Sequence, residues 1–234
     1  MRLRPSEPGP RLAVGVQGSG KSHGQGVDVV RGAHDYPLMV LDTNEEWSDF
    51  EPPELLRVVM TRTVGRAVQE IEEHGAQLVI VQPDDDADPL TLADQMCEWA
   101  IWHAGVAGVV FPEAHDLFPM GSKLPKHVRK AVKRARHKRV AFFADTQRLA
   151  ELHPAITSAA SVAELRLYAF WAPTDLKAVQ DLGGPALRDA VVRIYTEHFQ
   201  KATACCFEGC ARCARHRGYF VTAGPGPHVI DRDG

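Results

Sequence analysis

The sequence predicts an α/β fold, a mostly parallel central sheet with helices on both faces. Two observations carry that expectation. The candidate strands are continuous apolar runs and not alternating ones, and most are followed by a stretch of helical period before the next begins. A third observation sets the ligand class: Gly15-Val16-Gln17-Gly18-Ser19-Gly20-Lys21-Ser22 satisfies G-x-x-x-x-G-K-[ST] directly after the apolar run Leu12-Ala13-Val14. Glycines let the backbone curl around a β-phosphate with its N–H groups inward, the Lys21 ammonium reaches the β and γ oxygens, and the Ser22 hydroxyl ligates Mg²⁺. The expected ligand is a nucleoside triphosphate, ATP with Mg²⁺, cradled by Gly15, Gln17, Gly18, Ser19, Gly20, Lys21, Ser22 and His23.

The chain has 234 residues, which suits one sizeable core with a small appendage. Apolar residues make up 44% and charged ones 24%, globular values that argue against extensive disorder. At a formal net charge of −3 the whole protein is no polycation, so any nucleic-acid contact must come from a local basic patch. No stretch approaches the roughly 18 apolar residues of a membrane span, and the N-terminal residues lack the apolar segment of a secretory signal. A cytoplasmic protein with no membrane partner is expected. Residues 1–10 are Pro-rich and read as a flexible arm, 11–200 as the core domain, and 201–234 as a Cys- and Arg-rich appendage.

The elements come in order along the chain. The glycine-rich loop opens a helix over Ser22–Val30, and Pro37–Asp42 is a buried strand ending in a carboxylate, followed by an acidic loop to Pro53. Residues 54–74 read as helical, because Val64, Ala67, Val68 and Ile71 share one face and Gly75 supplies a stop. Ala76–Val81 is a strand, and Asp84-Asp85-Asp86 reads as a solvated cap for the next helix, Leu90–His103, which carries Leu92, Met96, Trp99 and Ala100 on one face. Val106–Phe111 is a strand, Lys123–His137 a basic helix, and Arg139–Ala144 a fourth strong strand. A further strand within Val162–Trp171 and helices near 174–182 and 185–200 complete the core.

Ligands in open α/β sheets sit beyond the carboxyl ends of the strands, so the residues that end each strand are the candidates. Val109-Val110-Phe111 runs into Pro112-Glu113-Ala114-His115, where a nucleotide hydrolase carries Asp-Glu, and Glu113 suits the polarisation of an attacking water. Pro112 stands where the Asp would orient the Mg²⁺ water shell, a role proline cannot take. Two readings remain open here: another carboxylate substitutes, with Asp42 at its strand end the best candidate, or hydrolysis is weak. The fourth strand runs into Asp145-Thr146-Gln147-Arg148, and the Gln147 amide can donate to a phosphate oxygen while accepting from water, as a γ-phosphate sensor does. The basic helix is open to three readings: contact with a phosphate backbone, an arginine offered to a neighbouring subunit's nucleotide, or a solvated face.

Taken together, Gly15 to Ser22, Val40-Leu41-Asp42 followed by Glu45-Glu46-Trp47, Val109 to His115, and Ala144-Asp145-Thr146-Gln147-Arg148 make a sequence that resembles the FtsK–HerA superfamily of DNA-translocating ATPases, particularly small viral genome-packaging and mobile-element members. The resemblance spans about residues 11 to 183. It implies a RecA-like P-loop NTPase core with Lys21 and Ser22 serving phosphate and Mg²⁺, and Glu113 as catalytic base. Gln147 would be the sensor, and Arg136 or Arg148 a trans-acting arginine. It further implies double-stranded DNA as partner, a homo-oligomeric ring, hexameric in type, a viral capsid or other assembly partner, and a host's cytoplasm as location for a viral member. Pro112 departs from the superfamily's Asp.

Cys206, Cys210, Cys213 and His216 supply soft donors in one short stretch beside Cys205. Zn²⁺ is chemically permitted, although four ligands this close are unusual for a tetrahedral site, and free or partly oxidised thiols are the other reading. Three functions compete: a DNA-translocating motor, a nucleotide-binding assembly or regulatory protein with little hydrolysis, and a P-loop phosphotransferase, for which no arginine-bearing lid is evident.

Overall fold

A computed structural model describes residues 8–15, 21–47, 55–135, 137, 139–162, 164–167, 173–194 and 219–221. Its strands are β1 (Pro10–Val14), β2 (Leu38–Leu41), β3 (Val58–Thr61), β4 (Leu78–Val81), β5 (Ala107–Phe111), β6 (Val140–Thr146), β7 (Glu164–Leu167) and β8 (Tyr219–Val221). The helices are α1 (Lys21–Ala33), α2 (Val64–Glu72), α3 (Pro89–Trp102), the short α4 (Ala114–Leu117), α5 (Lys126–Ala135), α6 (Pro154–Val162) and α7 (Pro173–Ile194). One 8-stranded sheet runs in the order β3-β4-β2-β5-β6-β1-β7-β8. Pairing is parallel from β3 through β7, and only the β7–β8 edge is antiparallel.

Parallel strands buried on both faces explain the unbroken apolar runs: β1, β2, β4, β5 and β6 are buried at every position. Because alternate residues point to opposite faces, each run feeds two cores. Leu38, Val40, Ile80, Val110 and Phe143 pack with Val29, Ala33 and Tyr36 around α1. Leu12, Val14, Met39, Val109, Phe111 and Phe142 pack on the opposite face with α2, α3 and α5. The expected mostly parallel α/β architecture is therefore what the chain adopts.

The single helix expected over 54–74 is corrected. Val58-Val59-Met60-Thr61 forms the edge strand β3, paired in parallel with β4, and the helix begins only after Thr63, whose side chain caps the Arg66 N–H. On an edge strand only partly buried, β-branched residues favour the extended form. The core face of α3 is also rotated from the expected one: Ala93, Met96, Cys97, Ala100 and Ile101 are buried, and Asp88, not the acidic triplet, caps its N-terminus through Leu90 and Thr91. The two late helices are the halves of α7, broken at Gly184 (φ 76°, ψ −179°) ahead of Pro185, with 195–200 of the second expected helix outside the described residues.

Buried charges tie α1 to the sheet. Glu164 on β7 accepts from Arg166 at 2.5 Å and lies 3.5 Å from Arg11 on β1, while Arg166 also reaches Asp28 of α1. Gly108 at the centre of the sheet has no room for a side chain. An added Cβ would lie 2.1 Å from Leu38 Cδ2, 3.0 Å from Ala141 Cβ and 3.1 Å from Ala141 O. Replacing Gly108 with Val is expected to force β2, β5 and β6 apart and to destabilise the fold by about 1–3 kcal/mol. Urea denaturation of the variant beside the parent checks this, and an unchanged midpoint would contradict the packing.

Candidate active site

Parallel strands bring all their carboxyl ends to one sheet edge, and the order β5-β6-β1 sets three informative ends side by side. β1 leads into the glycine-rich loop, its Gly15 N–H bonded to Thr146 O of β6 at 3.0 Å. Lys21 opens α1 on the far side of that loop. Gln17, Gly18, Ser19 and Gly20 lie outside the described residues, and Ser22 and His23 are placed by their backbones alone, in the first turn of α1.

Lys21 is the centre of the site. Its ammonium donates to Glu113 Oε1 at 2.6 Å and to Asp145 Oδ1 at 3.0 Å. The Glu113 N–H donates to the same Asp145 oxygen at 3.1 Å, and Gln147 Nε2 lies 3.4 Å from Glu113 Oε1. Lys21, Glu113 and Asp145 are all buried, with exposures of 4%, 6% and 0%. Thus Lys21, Glu113 and Gln147, named from three separate stretches of sequence, meet in one cluster, and β6 lies beside β5 as the sensor assignment requires.

Glu113 is held in an unusual conformation. It follows β5 with φ 45° and ψ 46°, the left-handed region, and opens the short helix α4 without a side-chain cap. For a residue with a Cβ this costs of order 1–3 kcal/mol, a type of strain found where geometry serves a site. The turn aims the carboxylate back over the sheet edge at Lys21. His115 sits 3.5 Å from the second Glu113 oxygen.

Asp145 lies at a strand end legible in the sequence, yet sequence reasoning assigns it no role. Its signal is Pro112, which calls for a carboxylate nearby; only strand register says which one. Asp42, the expected substitute and Mg²⁺ ligand, is occupied by its own turn. Its carboxylate accepts from the Glu46 and Trp47 N–H groups at 3.0 Å each and from Gln82 Nε2 at 3.0 Å. It ends β2, which β5 and β6 separate from β1, and the carboxylate that the structure brings to Lys21 and the Glu113 N–H is that of Asp145. Glu46 of the same turn is within electrostatic reach of the cluster: burial raises its pKa, against the pull of Lys21.

Arg148 does not join the cluster. Its Nε lies 3.3 Å from the fully buried Asp175 of α7, and its Nη1 is 3.6 Å from Glu151. Arg136 lies outside the described residues, as do Cys206, Cys210, Cys213 and His216. Among the described residues no group of His, Cys, Asp and Glu is arranged as a metal centre.

Electrostatics follow from one ammonium facing two carboxylates. Burial alone would lower the Lys21 pKa, but the charge of Asp145 and the hydrogen bond and charge of Glu113 outweigh it, and the net direction is up. Burial pushes the Asp145 carboxyl up, against the pull of Lys21. A raised lysine contributes stability in full below its unfolded value, about 10.4, and loses it as pH climbs through the folded value. Substituting Lys21 by Met strands two buried carboxylates, and a loss of about 3–5 kcal/mol is expected at neutral pH. The gap to the parent should narrow above about pH 10.4 as the parent's Lys21 deprotonates, and also in acid as Asp145 takes up a proton. Melting curves of both proteins across pH check it; a gap independent of pH would contradict the ion cluster.

No family model matches the chain, and no curated protein matches it. Solved structures do. The genome packaging NTPase B204 from Sulfolobus turreted icosahedral virus 2 in complex with sulfate aligns with a TM-score of 0.65 at 17% identity, covering 98% of this chain and 96% of B204. Its complex with AMP aligns at 0.62 and 19%, covering 81% and 88%, and its complex with ATP-gammaS at 0.59 and 20%, covering 80% and 87%. The chain therefore has the fold of the genome packaging NTPase B204, the parallel α/β architecture that its alternating apolar strands and helices predict and the P-loop NTPase core that the resemblance implies.

Proposed function

We propose that this chain is an ATP hydrolase that translocates double-stranded DNA, a genome-packaging or related DNA-transfer motor. The observation that carries the hydrolase reading is the cluster at the carboxyl ends of β1, β5 and β6: Lys21 between Glu113 and Asp145, with Gln147 beside Glu113. The shared fold of a packaging NTPase supports it.

In this reading Lys21 leaves its two carboxylates for the β- and γ-phosphate oxygens of ATP, an exchange of one anionic partner for another that keeps its charge compensated. Glu113 is thereby released to accept the proton of the attacking water, its oxygen aimed by the left-handed turn after β5. Gln147, in reach of the same carboxylate, reports the γ-phosphate to β6 and the segment beyond it. Mg²⁺, which the Ser22 hydroxyl would ligate, neutralises charge building on the phosphates when bound. Arg136 and Arg148 are the candidates for completing a neighbour's site in a homo-oligomeric ring, hexameric by the resemblance; Arg148 would have to exchange Asp175 for that partner.

DNA as the partner is supported by α5. Val128, Ala131, Val132 and Ala135 bury one side of it, and Lys126, Arg129, Lys130 and Lys133 are exposed on the other. Among the described residues no carboxylate pairs with Lys123, Lys126, Arg129, Lys130 or Lys133, although elsewhere Arg57, Arg62 and Arg66 each have one. A row of uncompensated cations in a chain of net charge −3 suits a phosphate backbone. No described helix is long and apolar enough to cross a membrane. Pro112 favours a second reading, a nucleotide-gated assembly protein with little turnover.

ATP hydrolysis by the purified chain, with and without linear duplex DNA at low salt, tests the motor. Turnover should rise with DNA, and Glu113→Gln should lower it by about 100-fold or more while nucleotide still binds. Tight ATP binding with no turnover in either condition would favour the assembly protein. Replacing Lys126, Lys130 and Lys133 with Ala should flatten the dependence of DNA affinity on salt by about one unit of slope per lysine, read by fluorescence anisotropy. An unchanged slope would exclude α5 as the contact.

A further inference from the structure

The ion cluster holds a carboxylate that the motifs do not provide for. In parallel pairing Phe111 of β5 stands opposite Ala144 of β6, so the next residues on the two strands, Pro112 and Asp145, stand side by side at the same sheet edge. An acid at position 112 would orient the water shell of nucleotide-bound Mg²⁺; the acid is present at that height, one strand nearer β1. We propose that Asp145 is the Mg²⁺-positioning carboxylate of this site, taking over from position 112 across the β5–β6 pairing. The inference rests on the nucleotide-binding reading of Lys21.

Three observations support it. Asp145 is fully buried, and Glu113 N–H and Lys21 both donate to its Oδ1, so its orientation is set from the turn after β5 and from the start of α1. Its other oxygen, Oδ2, is buried with no hydrogen-bond partner, and the same holds for Glu113 Oε2. An unsatisfied buried carboxylate oxygen is costly, and of the three such oxygens among the described residues these two belong to the carboxylates that Lys21 holds at the strand ends. Finally, Lys21 brings one positive charge to two carboxylates, and its departure to phosphate would leave both uncompensated, a hard-oxygen environment that fits a divalent cation keeping most of its waters. Asp42 offers no such oxygen, since its carboxylate is taken up by three donors.

The test is binding of a fluorescent ATP analogue to the full chain in excess EDTA and across a Mg²⁺ titration. For Asp145→Asn, affinity in EDTA should stay within about threefold of the parent, while the Mg²⁺ concentration giving half the tightening rises about 10- to 100-fold. Adding Pro112→Asp to Asp145→Asn should restore the Mg²⁺ response, which a merely structural role of Asp145 would not allow. Asp145→Ser is the second variant should the first fail to fold, with the same expected loss. An Mg²⁺ response equal to the parent's, or an equal weakening with and without Mg²⁺, overturns the assignment and leaves the nucleotide site standing. A parent chain that binds no analogue overturns the nucleotide reading itself, and this inference with it.

Discussion

Two buried carboxylates around one buried ammonium are the constraint on which the site depends. Each of these groups would be expensive alone, because the dielectric that strengthens their attraction also penalises any charge left without a partner. They are tolerated because the backbone places them without freedom: Lys21 at the start of α1, Asp145 inside β6, Glu113 in a left-handed turn after β5. None of the three elements can shift far without breaking a contact to the other two. The surrounding fold is the means of holding that arrangement. The Gly108 contact keeps β2, β5 and β6 close, and the Arg11–Glu164–Arg166–Asp28 network holds α1 against β1 and β7.

Much of this is legible in the sequence because its signals are local. A strand buried on both faces must be apolar throughout, so β1, β2, β4, β5 and β6 announce themselves, and the glycine-rich loop carries its own spacing. Glu113 and Gln147 emerge from asking what ends each strand. β3 escapes such reading because it is short, half-exposed at the sheet edge and followed almost at once by α2. The helical period of Val64, Ala67 and Ile71 continues backwards over it with no break to stop the extrapolation.

Asp145 escapes for a different reason. Its role depends on which strand lies next to β5 and on the register between them, neither of which is written in any single stretch of the chain. Asp42 attracts the assignment because it ends a strand in an acid. Being at a strand end is necessary and not sufficient, since two strands lie between β2 and β1, and Asp42 finds its donors in its own turn and in Gln82. Position along the chain puts Asp42 and Asp145 on equal terms; strand order separates them.

That distinction bears on how Pro112 is tolerated. Proline has no N–H to donate and no acid to offer, and it comes directly after the last residue of β5, where the sheet no longer needs a donor. The loss is therefore chemical and not structural. A parallel sheet can make up such a loss because neighbouring strand ends are only about 4.8 Å apart, so an acid moved sideways by one strand faces nearly the same volume. The displacement has a consequence for the resting site. Asp145 lies on the strand adjacent to β1, and the ammonium of Lys21 can bond it and Glu113 together. In the proposed reading, one oxygen of each carboxylate stays bonded to Lys21 until an anionic ligand draws the ammonium away, and the second oxygens of Asp145 and Glu113 are the ones left to meet that ligand's cation and water.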